Sequence, residues 1–258
     1  VLDASDPRLA PYRAVGDPAA LARDGLFVAE GRLVVERLLE DGRFRVHSVA
    51  VTPSAAAVLA PLFERRPDVL VHVCEASVLR QITGFHFHRG CLALAYRPSQ
   101  EMRLDGLSGA RRILAVESVA DPDNVGGLFR TASAFSIDAV VMNDRCADPL
   151  YRKAIRTSMA ATLRVPFVRW TRWTDELEAL RGAGFQLVAL TPDPEAEPLA
   201  AYAARAAERV IVAVGSEGFG LSRESMALAD ARVRIPIDPR ADSLNVVTAA
   251  AIALYALA

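Results

Sequence analysis

Lysine is almost absent from this chain: Lys153 is the only one, so nearly all positive charge rests on arginine. Arginine forks suit phosphate recognition. The matching abundance of alanine and valine points instead to a coding bias, so the enrichment alone argues for nothing. Net charge is missing as well. A formal value of -1 excludes a global basic field and leaves any nucleic-acid contact to a local patch. Histidine is sparse and stops at His88, which removes any Ser–His–Asp order with a nucleophile elbow. His86 and His88 lack clustered carboxylates nearby, and the only other histidines are His47 and His72, so no metal is expected. Cys74, Cys91 and Cys146 are odd in number and without C-x-x-C spacing. They make a poor disulfide framework and a poor zinc site, and they fit a reducing cytoplasm. The first residues show no basic segment running into an apolar one, so no signal peptide is expected. The longest apolar stretch, Leu244 to Ala258, is shorter than a membrane span and is interrupted by Asn245 and Thr248. It reads as a buried terminal helix, with no membrane partner.

What is present is the composition of a globular α/β protein, 52% hydrophobic and 24% charged over 258 residues. Residues 1–98 read as a small α/β domain. Helical faces over Gly31–Asp41, Ala55–Arg66 and Glu75–Ile82 alternate with strand-like runs at Val46–Thr52, Asp68–Cys74 and Cys91–Tyr96. A polar stretch over 99–110 serves as linker. From 111 to 258 the alternation restarts. Strands are expected at Arg112–Val116, Asp138–Met142, Val165–Trp170, Phe185–Leu190, Val210–Val214 and Ala231–Ile235. Helices are expected over Val125–Phe135, near Tyr151–Arg156, over Asp175–Gly182 and from about Leu244. Strands separated by helices of that length imply a parallel sheet with ligands at the carboxyl ends of its strands.

Three segments begin at such ends. Gly215-Ser216-Glu217-Gly218-Phe219-Gly220 follows a strand, but its glycine spacing is not that of a dinucleotide fingerprint. Glu217 inside the turn would repel a pyrophosphate, which disfavours a nucleotide-dependent oxidoreductase. A neutral or cationic adenosine ligand fits better, and a structural turn with Ser222 capping the next helix is the plain alternative. Asn124 to Arg130 follows the turn signal Asp121-Pro122-Asp123, with Asn124 a natural N-cap. Gly126 and Gly127 near a helix start cost about 1 kcal/mol each against alanine, so something must pack or bind closely there. Ile235-Pro236-Ile237 runs on to Ser243-Leu244-Asn245, where Ser243 could cap the last helix and Asn245 calls for a partner.

In this order the segments resemble the three motifs of the SpoU/TrmH branch of the SPOUT methyltransferases. The likeness is carried by N-V-G-G-L-F-R-T-A-S-A-F at 124–135, G-S-E-G-F-G-L-S at 215–222, and I-P-I with S-L-N-V at 235–246, with Arg156-Thr157-Ser158 between the first two. Glu30-Gly31 and His88-Arg89-Gly90 add less specific support in the first domain. The resemblance implies a trefoil-knotted SPOUT α/β domain preceded by a small L30e-like RNA-binding domain, although generic topology rules argue against a knot. It implies transfer of a methyl group from S-adenosylmethionine to a ribose 2′-hydroxyl of RNA, with ribosomal RNA favoured over tRNA. It also implies a homodimer working in the cytoplasm. A tRNA substrate, and a non-catalytic RNA-binding protein of the same fold, are the alternatives. Asn124, Arg130, Glu217, Ser243 and Asn245 match the family's functional positions. Leu190, Thr191, Gly215, Glu217, Gly218, Ile235, Ile237 and Leu244 would hold the cofactor. Met159-Ala160 and Val247 depart from the family pattern.

Overall fold

A computed structural model describes residues 3–84, 90–98, 104–238 and 240–257. His86, His88 and Arg89, with part of the expected linker, lie outside these. The chain opens with a 3-10 segment Pro7–Gly16, α1 (Pro18–Arg23), β1 (Leu26–Glu30), α2 (Arg32–Asp41), β2 (Val46–Val51), α3 (Pro53–Arg65), β3 (Leu70–Val73), α4 (Ala76–Thr83) and β4 (Cys91–Tyr96). After a short 3-10 turn follow β5 (Arg112–Val116), α5 (Pro122–Ala134), β6 (Ala139–Asn143), α6 (Arg152–Thr157), α7 (Ala161–Arg164), β7 (Phe167–Trp170), α8 (Trp173–Gly182) and β8 (Gln186–Leu190). The last third holds β9 (Glu197–Pro198), α9 (Leu199–Ala203), β10 (Val210–Val214), α10 (Arg223–Leu228), β11 (Ala231–Arg234) and α11 (Val246–Ala256).

Two compact units result. The first takes Val1–Ser99 together with the excursion Leu150–Arg164. Its sheet runs β1-β4-β2-β3, with β4 antiparallel to both neighbours and β3 parallel to β2. Leu9, Tyr12, Val28, Leu79, Leu92 and Leu94 fill one face of it. Tyr12 is fully buried, which pushes its phenol above the usual range, and its hydroxyl is paired with Ser48 Oγ at 2.8 Å. In the same unit Arg152 of α6 donates to Glu30 at the end of β1 across 3.1 Å.

The second unit takes Gln100–Pro149 and Val165–Ala258. Its sheet is parallel throughout, in the order β7-β6-β5-β10-β8-β11-β9. β6 and β10 are buried along their whole length, which is why they read as unbroken apolar runs rather than alternating ones. Ile113, Ala115, Val141, Val168, Trp173, Leu177, Ile211 and Ala213 make up much of its core. The order reverses at β5: β6 and β7 extend to one side, while β10, β8 and β11 lie on the other. β10 follows β8 in the chain yet is inserted between β5 and β8. A reversal of this kind leaves a crevice at the carboxyl ends of the strands, and all three motif segments start there.

α5 packs against α11, and Gly127 explains how. A Cβ on Gly127 would lie 2.7 Å from Cγ2 of Val247, so the missing side chain lets the two helices close together. The close packing expected near this helix start is therefore, at Gly127, helix on helix.

Candidate active site at the carboxyl ends of the strands

Helix α5 starts earlier than the sequence pattern implies. Asp121, not Asn124, is its N-cap, accepting from the amide of Asp123, and Pro122 sits at the first helical position. Asn124 is released from capping and points at the other two motifs. Its amide donates to Glu217 Oε1 at 2.8 Å. Asn245 donates to Asn124 Oδ1 at 3.1 Å and to the same Glu217 oxygen at 3.0 Å. Residues 93 and 28 positions from Glu217 thus meet on one carboxylate oxygen. Asn245 is also the N-cap of α11, its Oδ1 accepting from the amide of Val247 at 2.9 Å. Ser243, the expected cap, lies exposed ahead of the helix and makes no hydrogen bond among the described residues; α11 begins at Val246 rather than near Leu244.

The glycine turn is a closed structure. Ser216 and Gly220 exchange two backbone hydrogen bonds, 3.1 and 2.9 Å, which is a one-pair antiparallel bridge. Gly218 and Gly220 have φ of +88° and +68°, conformations that L side chains rarely adopt. A Cβ on Gly215 would fall 2.0 Å from the Gly220 carbonyl carbon. The close approach that Gly215 permits is therefore made by the turn's own backbone. Ser222 caps α10 as expected, its hydroxyl accepting from the amide of Ser225.

One further side chain holds this turn, and motif reading missed it. Glu117 follows β5, is buried, and accepts a 3.2 Å bond from the Ser222 amide. An acidic residue closing the apolar run Arg112–Val116 was the available signal. Beside it, Ser118 adopts φ of +57° and is held by Asn143, which accepts from its amide and donates to its hydroxyl.

The residues expected around a cofactor lie on three adjacent strands. The ladder sets Ala213, Ala189 and Arg232 level across β10, β8 and β11, and Gly215, Thr191 and Ile235 follow the ends of those strands. Leu190, Thr191, Gly215, Ile235, Ile237 and Leu244 are each half-buried, while Glu217 and Gly218 are exposed. That set offers aliphatic faces, backbone polar groups and one carboxylate, and no cation. It suits an adenosine ligand without phosphate. Arg130 is exposed on α5 and makes no hydrogen bond or ion pair among the described residues; the polar cluster does not include it. A cleft of about 270 Å³ also opens at the opposite, amino ends of the strands, beside Arg112, Val210 and Leu257. It holds none of the motif residues, and the clustered polar groups mark the carboxyl ends as the site.

Comparison with known proteins gives the family. The model of the SpoU rRNA Methylase family matches residues 111–255. The uncharacterized tRNA/rRNA methyltransferase Rv0881 of Mycobacterium tuberculosis is 40% identical, over 99% of this chain and 90% of that protein. The 23S rRNA (guanosine(2553)-2′-O)-methyltransferase RlmP of Bacillus subtilis is 28% identical, over 90% of this chain and 88% of its own length. An AdoMet-bound rRNA methyltransferase from Sinorhizobium meliloti superposes with a TM-score of 0.82 at 25% identity, covering 100% of this chain and 96% of that one. The family match spans more than half of the chain, a stretch that contains Asn124, Glu217 and Asn245. The protein belongs to the SpoU rRNA Methylase family.

Proposed function

We propose that this methyltransferase acts on a ribose 2′-hydroxyl of RNA, with ribosomal RNA as the favoured substrate. The observation that carries the reading is the convergence of Asn124, Glu217 and Asn245 from three separate segments on one spot at the carboxyl ends of the sheet. The methyl donor is S-adenosylmethionine, which when bound supplies a sulfonium methyl group to an attacking oxygen. Leu190, Ile235, Ile237 and Leu244 would cover its apolar parts, with Thr191, Gly215 and Gly218 contributing backbone groups. Glu217 carries the one charge in the set, of the sign that favours a cation.

Arg130 is free to meet RNA. A guanidinium holds its proton at neutral pH, so we assign it to stabilising the developing alkoxide and to contacting a neighbouring phosphate, not to proton abstraction. Asn124, Asn245 and Glu217 order the loop that brings hydroxyl and methyl group into line. Ser243 stands exposed ahead of α11 and would meet substrate or cofactor from there. Arg130→Ala separates the roles: it should remove turnover while S-adenosylmethionine affinity by calorimetry stays within about twofold. Loss of both together would make Arg130 structural.

Several finer points belong to the same reading. The first unit would be the L30e-like RNA-binding part. A trefoil knot would form where β10 threads between β5 and β8 and the chain crosses back to β11. A homodimer would use α11, where Ile252 and Tyr255 are 38% and 73% exposed on an otherwise apolar helix. The three buried thiols suit a reducing cytoplasm. RlmP speaks for ribosomal RNA, whereas the Mycobacterium relative carries both labels. Supplying ribosomal RNA and tRNA in competition decides between them, and a preference for tRNA would overturn the favoured substrate.

A further inference from the structure

We infer that Phe219 is a nucleobase-stacking residue that fixes the substrate nucleotide over the reacting centre. The inference rests on the reading of the site as an RNA ribose methyltransferase and adds to it how the RNA is held. Phe219 is 95% exposed, the most exposed large hydrophobic side chain among the described residues. Scattered exposed apolar residues are ordinary. This one differs in how it is mounted. It sits at the tip of the turn closed by the Ser216–Gly220 pair, between two glycines held at positive φ, so the backbone beneath the ring is fixed. It is also two residues from Glu217, on which Asn124 and Asn245 converge, which keeps the two Cα atoms within about 7 Å of each other. A fixed backbone with a bare aromatic ring beside a polar cluster is the geometry of a stacking platform rather than of a core residue.

The chemistry of the substrate supplies the partner. In a ribonucleotide the 2′-hydroxyl and the base are carried on adjacent ring carbons. Any 2′-oxygen brought to the cluster therefore brings its base within a few bond lengths. RNA recognition commonly splays such bases out and stacks them on aromatic side chains. A ring offers a π-face to every base, so Phe219 would hold the nucleotide without choosing its identity, and selection would fall to other contacts. A second copy of the chain is the competing occupant, and the same experiment detects it.

Three variants, Phe219→Ala, Phe219→Leu and Phe219→Trp, compared with the wild type, test the proposal. The readouts are methyl transfer to protein-free ribosomal RNA, S-adenosylmethionine affinity by calorimetry, and oligomeric state by sedimentation. Phe219→Ala and Phe219→Leu should raise KM for RNA between about fivefold and about a hundredfold, with cofactor affinity and sedimentation unchanged. Phe219→Trp should retain transfer, and its added fluorescence should be quenched by RNA and not by cofactor. If the wild type transfers methyl groups and Phe219→Ala keeps the same KM, the stacking proposal is wrong while the function stands. If Phe219→Ala changes the oligomeric state instead, the ring belongs to a subunit contact and the proposal is overturned. If the wild type methylates no RNA, the proposed function itself fails and the stacking role fails with it.

Discussion

The Cβ that Gly127 lacks would stand 2.7 Å from Cγ2 and 3.0 Å from Cγ1 of Val247, so these two residues set how closely α5 and α11 approach. Valine is stiff at χ1 and cannot swing aside. Gly127→Ala should therefore destabilise the protein, because overpacking of about 1–3 kcal/mol outweighs the roughly 1 kcal/mol that alanine returns in helix propensity. Pairing it with Val247→Ala should recover stability through a coupling of at least about 1 kcal/mol in denaturant unfolding. Additive losses would mean that the two side chains do not meet.

Asn245 has two jobs that one substitution can separate. Its Oδ1 caps α11, while its amide donates to Asn124 and Glu217. Aspartate caps a helix as well as asparagine does, but it has no donor and places a second carboxylate beside Glu217. Asn245→Asp should keep unfolding free energy within about 1 kcal/mol of wild type and yet lose methyl transfer by tenfold or more. Asn245→Ala should cost about 1 kcal/mol through the lost cap as well. Full activity in the aspartate variant would remove the cluster from the account.

How much of this was legible in advance depended on the residue type doing the positioning. Apolar runs such as Val210–Val214 and Cys91–Tyr96 mark their strands to the residue, because strands buried on both faces read as continuous apolar stretches. β1 and α9 were invisible: Leu26–Glu30 is short and follows a glycine, and Leu199–Ala203 lies in an alanine-rich stretch with no period. The two-residue β9 is defined only by its pairing to β11. The capping errors share one cause. Asp121-Pro122-Asp123 carries a turn signal and Ser243 a cap signal, but several polar residues near a helix start can each serve and only the backbone decides. The resemblance puts Asn124, Arg130, Glu217, Ser243 and Asn245 in one functional set, and of these Asn124, Glu217 and Asn245 are joined by hydrogen bonds. Periodicity offers no hint that two asparagines 121 positions apart donate to one oxygen. Glu117 escaped because it belongs to none of the motifs, although it ties the turn to β5.

Burial makes the thiols insensitive to ordinary alkaline conditions. Desolvation pushes Cys91 up to about 12 and Cys146 up to about 11. Unfolded, both would ionise near their usual value of about 8.5. Between that value and 11 to 12 the folded chain binds more protons than the unfolded one, so stability falls as pH rises through this window and is unaffected below it. Iodoacetamide should leave both thiols unlabelled at pH 8 until denaturant is added, and the melting temperature should begin to fall above about pH 8.5. Rapid labelling of the native protein at pH 8 would contradict the buried placement.

The central claim is the atom that receives the methyl group. The protein would be incubated with radiolabelled S-adenosylmethionine and unmodified ribosomal RNA, and the RNA digested to nucleosides and resolved by mass spectrometry. The account predicts that the label co-migrates with a 2′-O-methylated nucleoside and is absent when Arg130 is replaced by alanine. Label on a nucleobase, or no transfer to RNA at all, would contradict it.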